Sequence, residues 1–97
     1  HVSIGNNTVL WSANHIGHHS NIGPNNFVAS HAVISGFVTT GANCFVGVNA
    51  TVANNVNIGD DCWIGLGATV HRDVPSDSLM KGDRSEISNK KATEVFL

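Results

Sequence analysis

An imidazole and a glycine, His18 and Gly36, lie eighteen residues apart in this chain of 97 residues. A histidine side chain can take a proton from an attacking group and return it to a leaving group near neutral pH. A glycine amide can be approached closely and can hold the negatively charged oxygen of a tetrahedral intermediate. If the fold stacks residues that are eighteen apart, this pair predicts a general base beside an oxyanion donor.

The sequence contains six histidines, and no backbone requirement explains the one at His18. His19 and His31 fall at corner positions of the repeat described below, where histidine is one of the residue types that tolerate a left-handed backbone. His15 and His71 are predicted to lie on the surface. We expect no metal site, because zinc needs three or four converging ligands. His18 and His31 lie at different corners, so a neighbouring subunit would have to complete such a set.

A strict period of six residues runs through most of the chain. Every sixth residue is aliphatic except Thr40: Ile4, Leu10, Ile16, Ile22, Val28, Ile34, Thr40, Val46, Val52, Ile58, Ile64 and Val70. A helix repeats its apolar residues every three or four positions and a simple strand every two, so neither explains this period. Small residues usually follow each aliphatic residue and precede it by two positions. The pattern is typical of a hexapeptide β-helix, an all-β solenoid of stacked parallel strands with aliphatic side chains inside.

The position three residues after each aliphatic residue is predicted to form a corner with positive φ. These corner residues are Asn7, Ala13, His19, Asn25, His31, Phe37, Asn43, Asn49, Asn55, Asp61, Gly67 and Asp73. All but Ala13 and Phe37 are Gly, Asn, Asp or His, which tolerate that conformation. Three hexads make one triangular coil, so the repeat fills about four coils. Residues eighteen apart then stack, which is the arrangement that His18 and Gly36 require.

Composition excludes several classes of protein. The formal net charge of −2 argues against a nucleic-acid-binding surface. No apolar run reaches membrane length, and no signal peptide is visible. Cys44 and Cys62 both fall at small inward positions, eighteen apart, so we expect two reduced thiols in the core rather than a disulfide or a metal pair. A reducing cytoplasm fits this expectation.

We expect residues 1–73 to form the solenoid and residues 74–97 a C-terminal loop and cap. The repeat stops after Val70, and residues 71–81 are predicted to form an exit loop through Val74-Pro75. Residues 82–85 are predicted to form a turn, and residues 86–96 a short helix or strand that closes the open coil end. Because the sequence begins at His1 within a repeat, we also expect that an upstream part of the protein, another domain, is missing.

Three segments, residues 14–23, 35–37 and 44–49, resemble the left-handed β-helix sugar acetyltransferases. They read Asn-His-Ile-Gly-His-His-Ser-Asn-Ile-Gly, Ser-Gly-Phe and Cys-Phe-Val-Gly-Val-Asn, and they are similar to the sialic-acid O-acetyltransferase-like and bacillosamine-pathway N-acetyltransferase groups. The resemblance covers residues 2–82 and implies left-handed coiling, against the usual right-handed crossover. It also implies a homotrimer that binds acetyl-coenzyme A between neighbouring solenoids. Many members carry an N-terminal nucleotide-sugar-binding domain.

The resemblance implies roles for residues of the first two segments. The catalytic histidine of the family matches His18, and the amide that holds the thioester oxygen matches Gly36. The family places an acidic residue after the catalytic histidine, whereas this chain has His19 there. The residue type that would orient His18 therefore differs from the family pattern.

Other residues are implied to bind the coenzyme. Val46, Val48 and the following coil are expected to wall the pantetheine groove. The C-terminal Gly-x-Pro-Ala-Lys motif of the family is only echoed by Gly82-Asp83-Arg84-Ser85. Lys81 and Arg84 are expected to meet coenzyme phosphates, although solvated surface positions account for them equally well.

The leading hypothesis is therefore direct acetyl transfer from acetyl-coenzyme A to a hydroxyl or amino group of a sugar, nucleotide-linked in the related enzymes. His18 would be the general base and Gly36 the oxyanion donor. Two alternatives stay open from the sequence. One is a zinc hydro-lyase like the γ-type carbonic anhydrases, on the same fold. The other is a non-catalytic trimerisation scaffold, with the outward-pointing Trp11 and Trp63 in the interface.

Overall fold

The structure is a computed structural model that describes residues 1–96. Within these residues the chain forms thirteen two-residue strands and one short helix. The strands are β1 (Ser3–Ile4), β2 (Val9–Leu10), β3 (His15–Ile16), β4 (Asn21–Ile22), β5 (Phe27–Val28), β6 (Val33–Ile34), β7 (Thr39–Thr40), β8 (Phe45–Val46), β9 (Thr51–Val52), β10 (Asn57–Ile58), β11 (Trp63–Ile64), β12 (Thr69–Val70) and β13 (Leu79–Met80). The helix is α1 (Ala92–Phe96).

Up to β12 every third strand pairs in parallel, and β13 pairs with β11, which builds three sheets along the length of the molecule. We name them sheet A (β1-β4-β7-β10), sheet B (β2-β5-β8-β11-β13) and sheet C (β3-β6-β9-β12). Partners up to β12 lie eighteen residues apart, as in the pairs Phe27↔Phe45 and Val33↔Thr51. The predicted left-handed parallel β-helix of about four coils is confirmed.

The interior is the predicted aliphatic ladder. Ile34, Ile64 and Val52 are completely buried, because each is enclosed by the coils on both sides. The small positions two residues earlier, such as Ala32 and Ala50, are buried as well. Strand side chains alternate between the two faces, so the residue between them points to solvent. Period six thus follows from one large and one small inward residue on each side of the triangle.

The predicted corners adopt positive φ at eleven of the twelve positions. Ala13 (φ 55°) and Phe37 (φ 58°) adopt it although their side chains do not favour it, because the coil leaves no other way to turn. The prediction for Asp73 is wrong. Asp77 takes the left-handed conformation instead, at φ 62°.

The predicted exit loop at residues 71–81 is also wrong. Val74 is buried and pairs with Ile58, and β13 pairs with β11 in the register Trp63↔Leu79. Both offsets are sixteen residues instead of eighteen, since the corner after Val70 is two residues shorter. The solenoid therefore continues past residue 73 as a partial fifth coil that ends near Met80.

The rest of the chain has little regular structure. No turn is found at residues 82–85, where one was predicted, and the predicted short helix is present as α1. Residues 86–95 are all exposed, so the fourth coil is covered by residues 74–82 and not by this segment. Leu97, the last residue of the predicted cap, lies outside the described residues. Within residues 1–96, no helix combines the length and hydrophobicity that a bilayer crossing demands.

Candidate active site

The backbone stacks the residues that the spacing singled out. His18 lies in the corner between β3 and β4, and its carbonyl oxygen accepts the Phe37 amide at 3.0 Å. One coil further on, the Gly36 carbonyl oxygen accepts the Asn55 amide at 3.0 Å. The corner between sheets C and A is therefore a column in which His18, Gly36 and Asn54 follow one another. The predicted stacking of His18 on Gly36 is present.

The imidazole of His18 lies directly against Gly36. A Cβ atom placed on Gly36 would be 3.0 Å from Cε1 and 3.1 Å from Nε2 of His18. Any side chain at position 36 would therefore push the ring away. The side chain of His18 is exposed to solvent, so the ring is accessible to a ligand.

His19 holds the other ring nitrogen of His18. The two Nδ1 atoms are 3.1 Å apart, so one imidazole donates this hydrogen bond and the other accepts it. When His18 donates, its Nε2 atom carries no proton and is a base facing Gly36. His19 is thus hydrogen-bonded to His18 from the position where the resemblance implied an acidic residue.

Phe37 supports both imidazoles, and sequence reasoning missed it. Its ring stacks on His19, with centroids 4.9 Å apart and planes 4° apart, and meets His18 edge-on at 5.2 Å. The side chain is half exposed. The sequence did contain a signal, because Phe37 is not one of the residue types that favour positive φ at a corner. A phenylalanine at such a position indicates a role for its side chain.

The amide of Gly36 is already bonded. Gly36 is buried, and its N–H donates to Oδ1 of Asn54 at 2.8 Å. A thioester oxygen cannot reach this amide unless the Asn54 side chain leaves, which corrects the expectation of an open oxyanion donor at Gly36. Sequence reasoning missed Asn54, although its position eighteen residues after Gly36 was the signal that could have found it.

The two valines expected to line the pantetheine groove differ in burial. Val46 is 1% exposed and belongs to the aliphatic core, so its side chain cannot line an external groove. That expectation is wrong because position 46 belongs to the inward ladder. Val48 is 40% exposed at the corner between β8 and β9. This corner joins sheets B and C, so the structure does not bring Val48 to the corner of His18.

The two basic residues lie in a groove at the C-terminal end of the solenoid. Lys81 and Arg84 line it together with Trp63, Leu66 and Leu79, and its volume is about 870 Å³. A groove lined by apolar side chains and two cations suits a ligand with a flat or aliphatic part and phosphate groups. The groove lies beside sheet B, so one chain does not join it to the His18 corner.

The two cysteines are free and buried, as predicted. The Cys44 thiol donates to the Gly59 carbonyl oxygen at 3.1 Å, and the Cys62 thiol donates to that of Pro75 at 3.2 Å. Burial raises the pKa of Cys44 above its ordinary value of 9.0, so this group stays a thiol. Among residues 1–96, no three His, Cys, Asp or Glu side chains converge in a way that could hold a metal ion.

The outer face of sheet B carries a row of aromatic side chains. Phe27 stacks on Phe45 at 5.7 Å, Phe45 stacks on Trp63 at 4.1 Å, and Trp11 meets Phe27 edge-on at 5.0 Å. Trp11 and Trp63 are more than half exposed, so their predicted outward direction is confirmed. The equivalent positions on sheet A are polar, which makes sheet B the apolar side of the prism.

Comparison with known proteins identifies similar structures but no family model and no curated protein that matches the chain. A perosamine N-acetyltransferase variant from Caulobacter crescentus, in complex with CoA and GDP-perosamine, superposes with a TM-score of 0.82 at 27% identity. This match covers 92% of this chain and 42% of that protein. A second variant of that enzyme with the same ligands gives a TM-score of 0.64 at 27% identity, over 92% of this chain and 51% of the other.

A more distant similarity supports the fold alone. Serine acetyltransferase isoform 3 from Entamoeba histolytica, in complex with cysteine, gives a TM-score of 0.55 at 19% identity over 98% of this chain and 37% of that protein. The chain thus spans about half or less of the length of each of these proteins. From its repeat, its three parallel sheets and these similarities, the chain is a left-handed hexapeptide-repeat β-helix that is similar to the perosamine N-acetyltransferases.

Proposed function

We propose that this chain is the catalytic β-helix of an acetyl-coenzyme A-dependent sugar acetyltransferase in which His18 is the general base. One observation carries the proposal: the His18 imidazole is held at Nδ1 by His19 and presents Nε2 over Gly36. The similarity at 27% identity to enzymes solved with CoA and GDP-perosamine supports the reaction class.

The chemistry of the corner suits direct transfer. Nε2 of His18 takes the proton of the acceptor group as its oxygen or nitrogen attacks the carbonyl carbon of the thioester. The carbon–sulfur bond then breaks, and the imidazolium returns the proton to the departing thiolate. A positioned base of this kind contributes about 10²- to 10⁴-fold to the rate. No serine or cysteine nucleophile is required. Buried Cys44 is unsuited to that role because its raised pKa keeps it a thiol.

The acceptor is a nucleotide-linked sugar with a free amino or hydroxyl group. The similar structures contain GDP-perosamine, which favours an amino group over a hydroxyl group as the acceptor. The match spans 42% and 51% of the similar proteins, so about half or more of each protein solved with GDP-perosamine has no counterpart here, and no residue of this chain is assigned to the nucleotide. Formal net charge of −2 gives no support to a nucleic-acid partner.

The working enzyme is a homotrimer. The aromatic row on sheet B is an apolar face that would be covered by a second copy of the chain. The groove with Lys81 and Arg84 would bind the coenzyme phosphates, with Val48 along the path of the pantetheine. Because the groove and the His18 corner lie on different sides of one chain, assembly is needed to bring them into one cleft. Free, buried thiols support a cytoplasmic location.

The test replaces two histidines by the same residue. In His18→Asn we expect a loss of acetyl transfer of at least about 100-fold, because the base is gone. His31→Asn is the matched control, since His31 also lies at a solenoid corner, at φ 59°, and Asn occupies other corners with positive φ. The measurement is thiol release from acetyl-coenzyme A with a nucleotide amino sugar, using the full-length protein. Unchanged turnover in His18→Asn would remove His18 from the mechanism.

A further inference from the structure

The hydrogen bond between Gly36 and Asn54 leaves the proposed reaction without an oxyanion donor at the expected atom. The Gly36 amide is buried and its proton points to Oδ1 of Asn54 at 2.8 Å. An amide that already donates such a bond has no second proton for a thioester oxygen. Another donor near His18 must serve if the solenoid keeps this arrangement during the reaction.

The orientation of the Asn54 side chain follows from this bond. A backbone N–H is only a donor, so the oxygen of the Asn54 amide must face it and the nitrogen must point away. Asn54 is exposed, unlike Gly36, so its Nδ2 protons are accessible from solvent. His18 contacts Gly36 from one neighbouring coil and Asn54 contacts it from the other. The base and the side-chain donor therefore flank the same glycine.

The opposite end of sheet A supplies a comparison within the molecule. At the corner between sheets A and B, Oδ1 of Asp60 accepts the amide of Ala42 at 2.8 Å, the same contact one corner away. A carboxylate therefore suffices for stacking these corners, and the hydrogen bond alone does not require an amide. What the Asn54 side chain adds is a pair of N–H donors, and it adds them at the corner that also carries the His18 imidazole.

We infer that Nδ2 of Asn54 donates the hydrogen bond that stabilises the oxyanion in this reaction, with the Gly36 amide serving to orient it. The inference rests on the proposed function. As the acceptor attacks, the carbonyl double bond of the thioester opens and its oxygen takes the negative charge beside Nδ2. The acceptor proton goes to Nε2 of His18. When the carbon–sulfur bond breaks, the double bond re-forms and the proton passes to the thiolate.

The decisive variant is Asn54→Asp. It keeps an oxygen for the Gly36 amide, as Asp60 does for Ala42, so the variant should fold. It has no N–H donor at this position. We expect a 10²- to 10³-fold loss of kcat, the usual effect of removing one oxyanion donor. Asp60→Asn is the matched control, because it makes the reverse exchange at a corner away from the imidazole, and it should leave kcat within twofold. Thermal unfolding and circular dichroism report whether each solenoid is intact.

A second variant separates Asn54 from Gly36 as donor. Asn54→Ala removes the Nδ2 donor without adding a charge and also frees the Gly36 amide. If Nδ2 is the donor, this variant should lose as much activity as Asn54→Asp in spite of the freed amide. Wild-type or higher kcat in Asn54→Ala would assign the oxyanion to Gly36 and overturn the inference. Full activity in Asn54→Asp would overturn it as well, while inactivity of His18→Asn would leave the proposed function standing. Activity in His18→Asn would overturn both.

Discussion

At the scale of single residues, the candidate site is a packed group rather than a lone histidine. His18 bonds to His19, both rings contact Phe37, and His18 covers Gly36. Such contacts restrict the ring of an exposed side chain, which would otherwise sample several rotamers. A base that must meet an acceptor within hydrogen-bond distance gains from this restriction.

Gly36→Ala tests how closely the ring must be held. The new Cβ atom would lie 3.0 Å from Cε1 of His18, so the exposed ring must swing aside. Ala42 occupies the equivalent position at the next corner, which shows that the backbone accepts alanine. We expect kcat to fall about 100-fold, as for a misplacement of about 1 Å. The unfolding temperature should change little, since a surface ring can relocate.

Ser30→Ala is the control for this prediction. Ser30 occupies the corresponding position at the corner between sheets B and C, away from His18. Its replacement should leave both kcat and the melting temperature as they are. If Gly36→Ala retained full kcat, close contact between His18 and position 36 would have no role in the reaction.

At the scale of the coil, the sequence predicted the structure well because few residue positions determine the path of one coil. Each hexad needs one aliphatic residue, one small residue and one corner residue, so the pattern predicted the sheets, the core and the stacking of His18 on Gly36. The corner after Val70 could not be predicted in this way, because a coil with two fewer residues still places Val74 on Ile58 but breaks the period. Side-chain contacts such as Asn54 to Gly36 depend on rotamers, which the period does not specify.

Because the thiol of Cys44 is buried, we predict that the stability of the fold depends on pH. Burial raises the pKa of this thiol in the folded state, so the thiolate is disfavoured there relative to the unfolded chain. The stabilisation is complete below the unfolded value of about 9.0 and is lost as pH rises through the folded value. We therefore expect the free energy of unfolding to decrease above pH 9.

Urea denaturation at pH 7 and pH 10 measures this effect, with Cys44→Ala as the comparison. Alanine already fills the same inward position at Ala32, Ala50 and Ala68, so the coil accepts it. The variant should lose less stability between the two pH values than the wild-type chain. An equal loss in both proteins would show that Cys44 is not the source of the alkaline sensitivity.

At the scale of the whole molecule, the solenoid has one apolar side and one polar side. The outer positions of sheet B are Val9, Phe27, Phe45, Trp63 and Leu79, whereas those of sheet A are Ser3, Asn21, Thr39 and Asn57. An aromatic face of this length is unusual on a monomer and marks an interaction surface. The proposed trimer would use it.

Sedimentation equilibrium tests this assembly. We expect the mass of a trimer of this 10.2 kDa chain. Trp63→Glu should shift the protein toward monomer, because it buries a charge against an apolar partner. Asn57→Glu changes the outer face of sheet A and should leave the mass unchanged. A monomeric wild-type chain at micromolar concentration would contradict the proposed trimer of this β-helix.

The partial fifth coil has a consequence for growth of the solenoid. A regular stack of identical coils could be extended by another molecule whose first coil pairs with the last. Val74 pairs with Ile58 and Met80 pairs with Ile64, so sheets A and B carry a pairing from the fifth coil, whereas sheet C ends at β12 within residues 1–96. A complete coil of another molecule could therefore pair with only two of the three sides. This incomplete last coil disfavours fibre growth at the C-terminal end of the solenoid.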